Sequence, residues 1–148
     1  MAKFVDKSNN WRPDGGVYKK VIDQIDTDGV CPFCPKHLKK YHKKPIIKRG
    51  KYWLVTDNMY PYNGAKHHIL FIHKKHIESL EDVSTPGFKE LKDLIKKEVK
   101  RRRIKGATFL MRFGETSHTG ASVSHLHANL ISPDVKRKDR KPIMFRIG

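Results

Sequence analysis

Acidic residues are scarce in this chain: 15 Asp and Glu stand against 32 Lys and Arg, a formal charge of +17 over 148 residues. That imbalance sets up a surface field that draws in anions and speeds their encounter, so an anionic partner is expected. Charge by itself separates neither a small phosphate ester from a nucleic acid nor either of them from lysines kept for solubility. Long apolar runs are also missing. No window approaches the roughly 18 uncharged apolar residues that a membrane span needs, and the opening Met-Ala-Lys-Phe-Val-Asp is too short and polar for a secretory leader. A soluble, cytoplasmic protein with no membrane partner is expected. Cysteine is almost absent, and Cys31 and Cys34 would close too short a loop for a disulfide to stabilise much. They suit a metal or redox pair, or two reduced thiols.

Neither internal repeats nor low-complexity segments are present. The length suits one domain, residues 1–148, rather than two. With 37% hydrophobic residues, such a chain can bury roughly 70% of its surface.

Residues 1–16 show no apolar period and form an irregular arm that Trp11 is expected to pin to the body. Val17, Val21, Ile22 and Ile25 fall at helical spacing, and Asp28-Gly29 ends that pattern, giving a short helix. In Cys31-Pro32-Phe33-Cys34-Pro35 the prolines argue against a regular helix, so residues 31–44 are expected to form an exposed basic knuckle. Residues 45–48 and 52–56 suit a hairpin turning at Arg49-Gly50, and residues 58–64 are rich in turn residues. His68 to His73 suits a strand buried on both faces. Thr85 as cap and Pro86 at the first turn would open the longest helix, with Phe88, Leu91, Leu94, Ile95 and Val99 as its apolar stripe and a cationic C-terminal end. Residues 107–113 and 122–131 are expected as strands around a Gly114–Gly120 loop. A basic loop and a closing strand, 142–147, complete residues 133–148. The whole reads as α+β: a mostly antiparallel sheet of about five or six strands with one long and one short helix.

Within residues 122–131, strand alternation sends His125, His127 and Asn129 to one face and Leu126, Ala128 and Leu130 to the other. Three polar side chains share one surface just after a Gly-rich loop, where imidazoles are costly to bury without a role; a two-histidine metal grip and a half-solvated edge strand are the alternatives.

The run from Gly120 to Ile131 resembles the His-x-His-x-His strand of the histidine triad (HIT) superfamily. Asn58-Met59-Tyr60-Pro61-Tyr62-Asn63, followed by His68 to His76, resembles that family's nucleotide-binding turn and strand. Cys31-Pro32-Phe33-Cys34 resembles the zinc knuckle of many bacterial members. The resemblance implies a HIT-like fold and a nucleotide hydrolase or nucleotidyltransferase. In that chemistry the middle histidine, His127, attacks an α-phosphorus and forms a nucleotidyl-histidine. It implies His125, His127 and Asn129 as the catalytic set, and Asn58, His68, Ser122, Gly120 and Asn129 as nucleotide-binding residues. Phe33, Ile47 and Leu54 are loose matches to the base slot. The resemblance further implies a Zn site at Cys31, Cys34, His76 and His125, with His37 as a local alternative ligand, and a homodimer.

The chain departs from the pattern at Asn129, where the third histidine would stand. An amide cannot deliver a proton at neutral pH. Branches with Gln there resemble transferases and phosphorylases that pass the nucleotide to phosphate or a phosphorylated sugar; a nucleotide or nucleic-acid binding protein with weak or lost turnover is the alternative reading. His118 in the phosphate-side loop is a possible proton source. Ala121 replaces a Gln found in many members and removes one phosphate contact. Two basic clusters, 96–103 and 136–141, are candidates for nucleic-acid backbone.

Overall fold

The computed structural model describes residues 3–10, 12 and 15–148. Trp11 and Pro13 of the expected arm lie outside them. Five strands, β1 (Ile46–Arg49), β2 (Trp53–Asp57), β3 (Ala65–His73), β4 (Thr108–Arg112) and β5 (His127–Pro133), form one antiparallel sheet in the order β1-β2-β3-β5-β4. The helices are α1 (Val17–Asp28), α2 (Pro35–Tyr41), α3 (Thr85–Arg101) and α4 (Thr116–Thr119). The α+β class and the five-stranded sheet are as expected, with two short helices more. Among the described helices none is long and apolar enough to cross a membrane.

Period-two alternation gives the sheet two distinct faces. Trp53, Val55, Ile69, Phe71, Ala128 and Leu130 point to one face and bury Leu91 and Leu94 of α3. Leu54, Leu70 and Ile72 point to the other, against Leu38 of α2. On that second face Val5, Ile22, Ile25 and Val123 make a separate small core between the arm, α1 and the segment leading into β5.

Helix α3 is tied to the β1–β2 hairpin by a half-buried carboxylate. Both Glu90 carboxylate oxygens accept main-chain N–H groups, from Lys51 and Tyr52 at 2.7 Å and from Trp53 at 3.0 Å. A Cβ on Gly50 would stand 2.6 Å from Glu90 Oε2, so a larger residue there would push the carboxylate out of its present place on the hairpin amides. Trp53 Nε1 completes the latch by donating to Gly87 O at 2.9 Å.

Five expectations need correction. Pro35 does not prevent a helix after the cysteines; it sits in the first turn of α2, where its missing N–H has no partner to lose. Ser84, not Thr85, caps α3, its Oγ accepting from Gly87 N at 3.1 Å, and Phe88 is exposed rather than part of the stripe. Residues 142–147 form no strand. β5 begins at His127, because residues 122–124 pair instead with the arm: Asp6 N donates to Ser122 O, and Ser124 N to Phe4 O, each at 2.9 Å. The arm is correspondingly ordered where it is described. Asn9 Nδ2 donates to Thr116 O and Ala121 O at 2.8 Å each, fastening the loop that precedes the histidines.

Candidate functional site

β3 and β5 lie side by side with Leu70 opposite Asn129 and Ile72 opposite His127, and β4 places Arg112 opposite His127. The alternation therefore brings His68, Arg112, His127 and Asn129 to the sheet face away from α3. His127, Asn129, Asn58, Gly120, Ser122 and Arg112 line one cleft there.

Hydrogen bonds settle the tautomers. His127 Nδ1–H donates to the His125 carbonyl at 2.7 Å, which leaves Nε2 with a free lone pair. Burial holds His127 down at about 4, with the nearby Arg112 and Arg12 cations acting the same way, so the ring is neutral at pH 7. Tyr62 N donates to His68 Nδ1 at 3.1 Å, which puts the His68 proton on Nε2. That Nε2–H donates to Asn129 Oδ1 at 2.8 Å. With its oxygen engaged, Asn129 offers its NH2 to the cleft. Asn58 Oδ1 accepts from Tyr60 N at 2.8 Å. Its Nδ2 lies 3.2 Å from the already protonated His68 Nε2, finds no acceptor there, and is a second donor for a ligand. Burial also holds His68 down at about 4.

Cys31, Cys34, His76 and His125 converge beside the cleft, their ligand atoms all within 4.8 Å of one another. Nδ1 of His125 lies 3.2 Å from Cys31 Sγ, 3.8 Å from Cys34 Sγ and 3.2 Å from His76 Nδ1, and Cys34 Sγ lies 3.5 Å from His76 Nδ1. Metal bonds of about 2.0–2.3 Å in a tetrahedron require ligand separations of roughly 3.3–3.8 Å, so the set fits a tetrahedral ion. The outer nitrogens fit as well. His125 Nε2–H donates to His73 O at 2.6 Å and His76 Nε2–H to Glu78 Oε1 at 3.2 Å, leaving both Nδ1 lone pairs aimed inward. Burial pushes the Cys31 thiol up to about 12, so a bound cation is what would hold it as thiolate.

Residues 30–144 match the family described as "Scavenger mRNA decapping enzyme C-term binding". The chain belongs to this family, within the histidine triad superfamily. A "Hit Like Protein" is 25% identical with a TM-score of 0.55, covering 67% of this chain and 95% of its own. A histidine triad nucleotide-binding protein from Candida albicans is 22% identical with a TM-score of 0.58, over 71% of this chain and 76% of its own. A Zn-bound histidine triad family protein from Mycobacterium smegmatis is 18% identical with a TM-score of 0.57, over 81% and 84%. These last two share the fold. No curated protein matches the sequence.

In this histidine triad protein some sequence-matched positions fall elsewhere. Ile47 packs on the α3 side and Leu54 is buried beneath the cleft; only Phe33 reaches it, with its ring 5.0 Å from that of His127. The apolar wall comes instead from Val21, Ile22 and Ile25 of α1, which the helical spacing identified only as core. His37 is outside the metal-type cluster. His118 lies in α4 with 80% of its side chain exposed, near Glu115, and does not line the cleft. Arg12 and Arg112 were missed as site residues; only the expected pairing of the two strands beside the histidines carried a signal for Arg112. Among the described residues no carboxylate lines the cleft.

Proposed function

We propose that this protein is a nucleotide hydrolase or nucleotidyltransferase that acts on a dinucleoside polyphosphate or a nucleoside monophosphate conjugate through a nucleotidyl-histidine at His127. The observation that carries this reading is the fixed tautomer of His127, whose bare Nε2 belongs to a cleft lined, among the described residues, by two arginines and no carboxylate. The Nε2 lone pair attacks the α-phosphorus, the bond to the leaving-group oxygen breaks, and that oxygen departs with the electron pair. Water or phosphate then attacks the same phosphorus and the P–N bond breaks. Arg112 and the Ser122 hydroxyl hold phosphoryl oxygens as charge builds. The Asn129 NH2 hydrogen-bonds the departing oxygen without protonating it, which favours leaving groups stable as anions. The α1 wall and Phe33 take the base, and Asn58 the ribose.

Cys31, Cys34, His76 and His125 would hold a zinc ion, whose contribution is to cross-link the knuckle to the segment entering β5. A reducing cytoplasm suits such free thiols. A homodimer belongs to the same reading, supported by Phe109 of the outer strand β4 and Phe113 just beyond its end, 44% and 50% exposed.

The test is product analysis of diadenosine tetraphosphate incubated with the protein, with and without phosphate. AMP without phosphate identifies water as acceptor, and ADP only with phosphate identifies a phosphorylase. Intact mass after rapid acid quench should show an adenylyl adduct that His127→Ala lacks. A His127→Ala variant as active as the parent overturns the mechanism.

A further inference from the structure

The cleft over His127 continues beyond its own walls. At one end it shares His42 with a groove lined by Leu38, Lys39, Lys43, Lys44, Ile46 and Arg49. At the other it shares Arg12, Tyr60 and Tyr62 with a groove that runs on past Asn63, Arg137 and Lys141. These depressions adjoin one another along the sheet face that carries His127 and Asn129. Among the described residues a single acidic side chain, Asp139, lines the run, 3.8 Å from Lys141.

The cations along it are available. Among the described residues Lys39, Lys43, Lys44, Arg49, Arg12 and Arg112 have no carboxylate partner, whereas the neighbouring Lys40 is taken up by Asp28 at 2.7 Å. Where the cleft meets the second groove, the Arg12 guanidinium lies 4.5 Å from the Tyr18 ring centre and 5.1 Å from that of Tyr62. Tyr18 and Tyr60 meet edge to face at 5.1 Å. Aromatic rings and a guanidinium plane between runs of cations are the ingredients of a single-strand track, where bases stack and phosphates pair with lysine and arginine. The basic run of α3 differs in place. It belongs to the helix on the opposite face of the sheet, and two of its arginines are engaged: Glu98 takes Arg101 and Arg102, and Asp57 takes Arg102.

We propose that this run of grooves binds a single-stranded nucleic acid whose strand passes over His127. A dinucleoside polyphosphate concentrates its charge at one place, beside the reacting phosphorus. Here unpaired cations continue on both sides of His127, matching phosphates spaced along a strand. A duplex hides its base faces from the tyrosines. The inference deepens the reading of the cleft as a nucleotide site and rests on it for what happens at His127; the binding itself does not require turnover.

The test is fluorescence anisotropy of a labelled oligothymidylate of about 15 nucleotides, with a duplex of equal length beside it. The parent should bind the single strand more tightly than the duplex, and five phosphate contacts would weaken that binding about 100-fold between 50 and 200 mM salt. Lys39→Ala/Lys43→Ala/Lys44→Ala and Arg137→Ala/Lys141→Ala should each lose about tenfold or more at low salt, the triple with a salt slope shallower by about two. Lys96→Ala/Lys97→Ala/Lys100→Ala, with the same change in net charge as the first triple, should stay within about threefold. His127→Ala should bind like the parent while losing turnover. The proposal is overturned if the parent does not bind, if the duplex binds better, if the track variants bind like the parent, or if the α3 variant loses as much as they do. Track-dependent binding together with full turnover by His127→Ala would overturn the reading of His127 and leave the track standing.

Discussion

The Nδ1–H of His127 donates to the main-chain oxygen of His125 at 2.7 Å, while the His125 ring turns its own Nδ1 toward Cys31, Cys34 and His76. One residue thus touches both halves of the site, through its backbone on one side and its imidazole on the other. The two halves should separate under mutation. Cys31→Ser should lose bound zinc and reduce turnover about 10- to 100-fold, as loss of support around a ligand does. His127→Ala should keep one zinc and lose turnover entirely. Metal analysis beside steady-state rates checks both, and zinc-free parent protein would remove the metal from the account.

Asn129 accepts the Nε2–H of His68 at 2.8 Å and turns its NH2 to the cleft. An amide so placed helps only leaving groups that need no proton. Asn129→His should therefore raise the rate on an adenosine phosphoramidate, whose amine must be protonated to depart, by about tenfold or more. It should leave the rate on a dinucleoside polyphosphate within about threefold. Equal effects on both substrates would show that proton delivery is not what position 129 controls.

The site was legible in sequence to the extent that it is local. Alternation along β5 puts His127 and Asn129 on one face, and the same alternation along β3 puts His68 there and its neighbour His67 on the other. Of the contacts between distant segments, the family resemblance supplied the convergence of Cys31, Cys34, His76 and His125; the others were not legible. Ser122 and Ser124 are tied to Asp6 and Phe4, so the strand starts five residues later than its composition suggests. Pro35 reads as a breaker until its place in the first turn of α2 is known. The α1 wall of the cleft lies before residue 30, outside the stretch that matches the family, and its apolar spacing is that of any core-facing helix.

His68 couples the site to acid stability. Burial holds its folded value at about 4, below the ordinary 6.5, so the unfolded chain takes up the proton first as pH falls. The stability this contributes is complete above about pH 6.5 and is lost progressively down to about 4, at no more than about 1.4 kcal/mol per pH unit. Denaturant titrations at pH 7.5 and 5 should show a larger loss for the parent than for His68→Gln. Identical losses would mean that His68 does not titrate in that window.

β4 pairs only with β5, so its outer edge keeps unpaired main-chain groups beside exposed Phe109 and Phe113. Such an edge is a template for a second chain. Light scattering should give twice the monomer mass for the parent and the monomer mass for Phe109→Lys/Phe113→Lys. A monomeric parent would remove the homodimer from the proposed function.

Arg112 stands opposite His127 across β4 and β5, where side chains of neighbouring strands lie about 4.5–5.5 Å apart at Cβ. Its Nη2 donates to Arg146 O at 2.7 Å, which positions the guanidinium while leaving it other donors. Among the described residues no carboxylate lines the cleft to neutralise it. A fixed cation beside a neutral nucleophile suits a transferring phosphoryl group, whose charge it meets without reorganising. Because an amide at position 129 supplies no proton, the proposed mechanism leaves this charge more of the stabilisation than it would bear beside a third histidine. Arg112→Gln should lower kcat/KM about 100-fold or more, the loss typical of a missing transition-state donor. Arg112→Lys should recover part of it by restoring the charge without the fork. Zinc content should stay at the parent level in both. A Gln variant within about threefold of the parent would mean that the phosphoryl oxygens are held elsewhere, by Ser122 and the main chain of the loop before it.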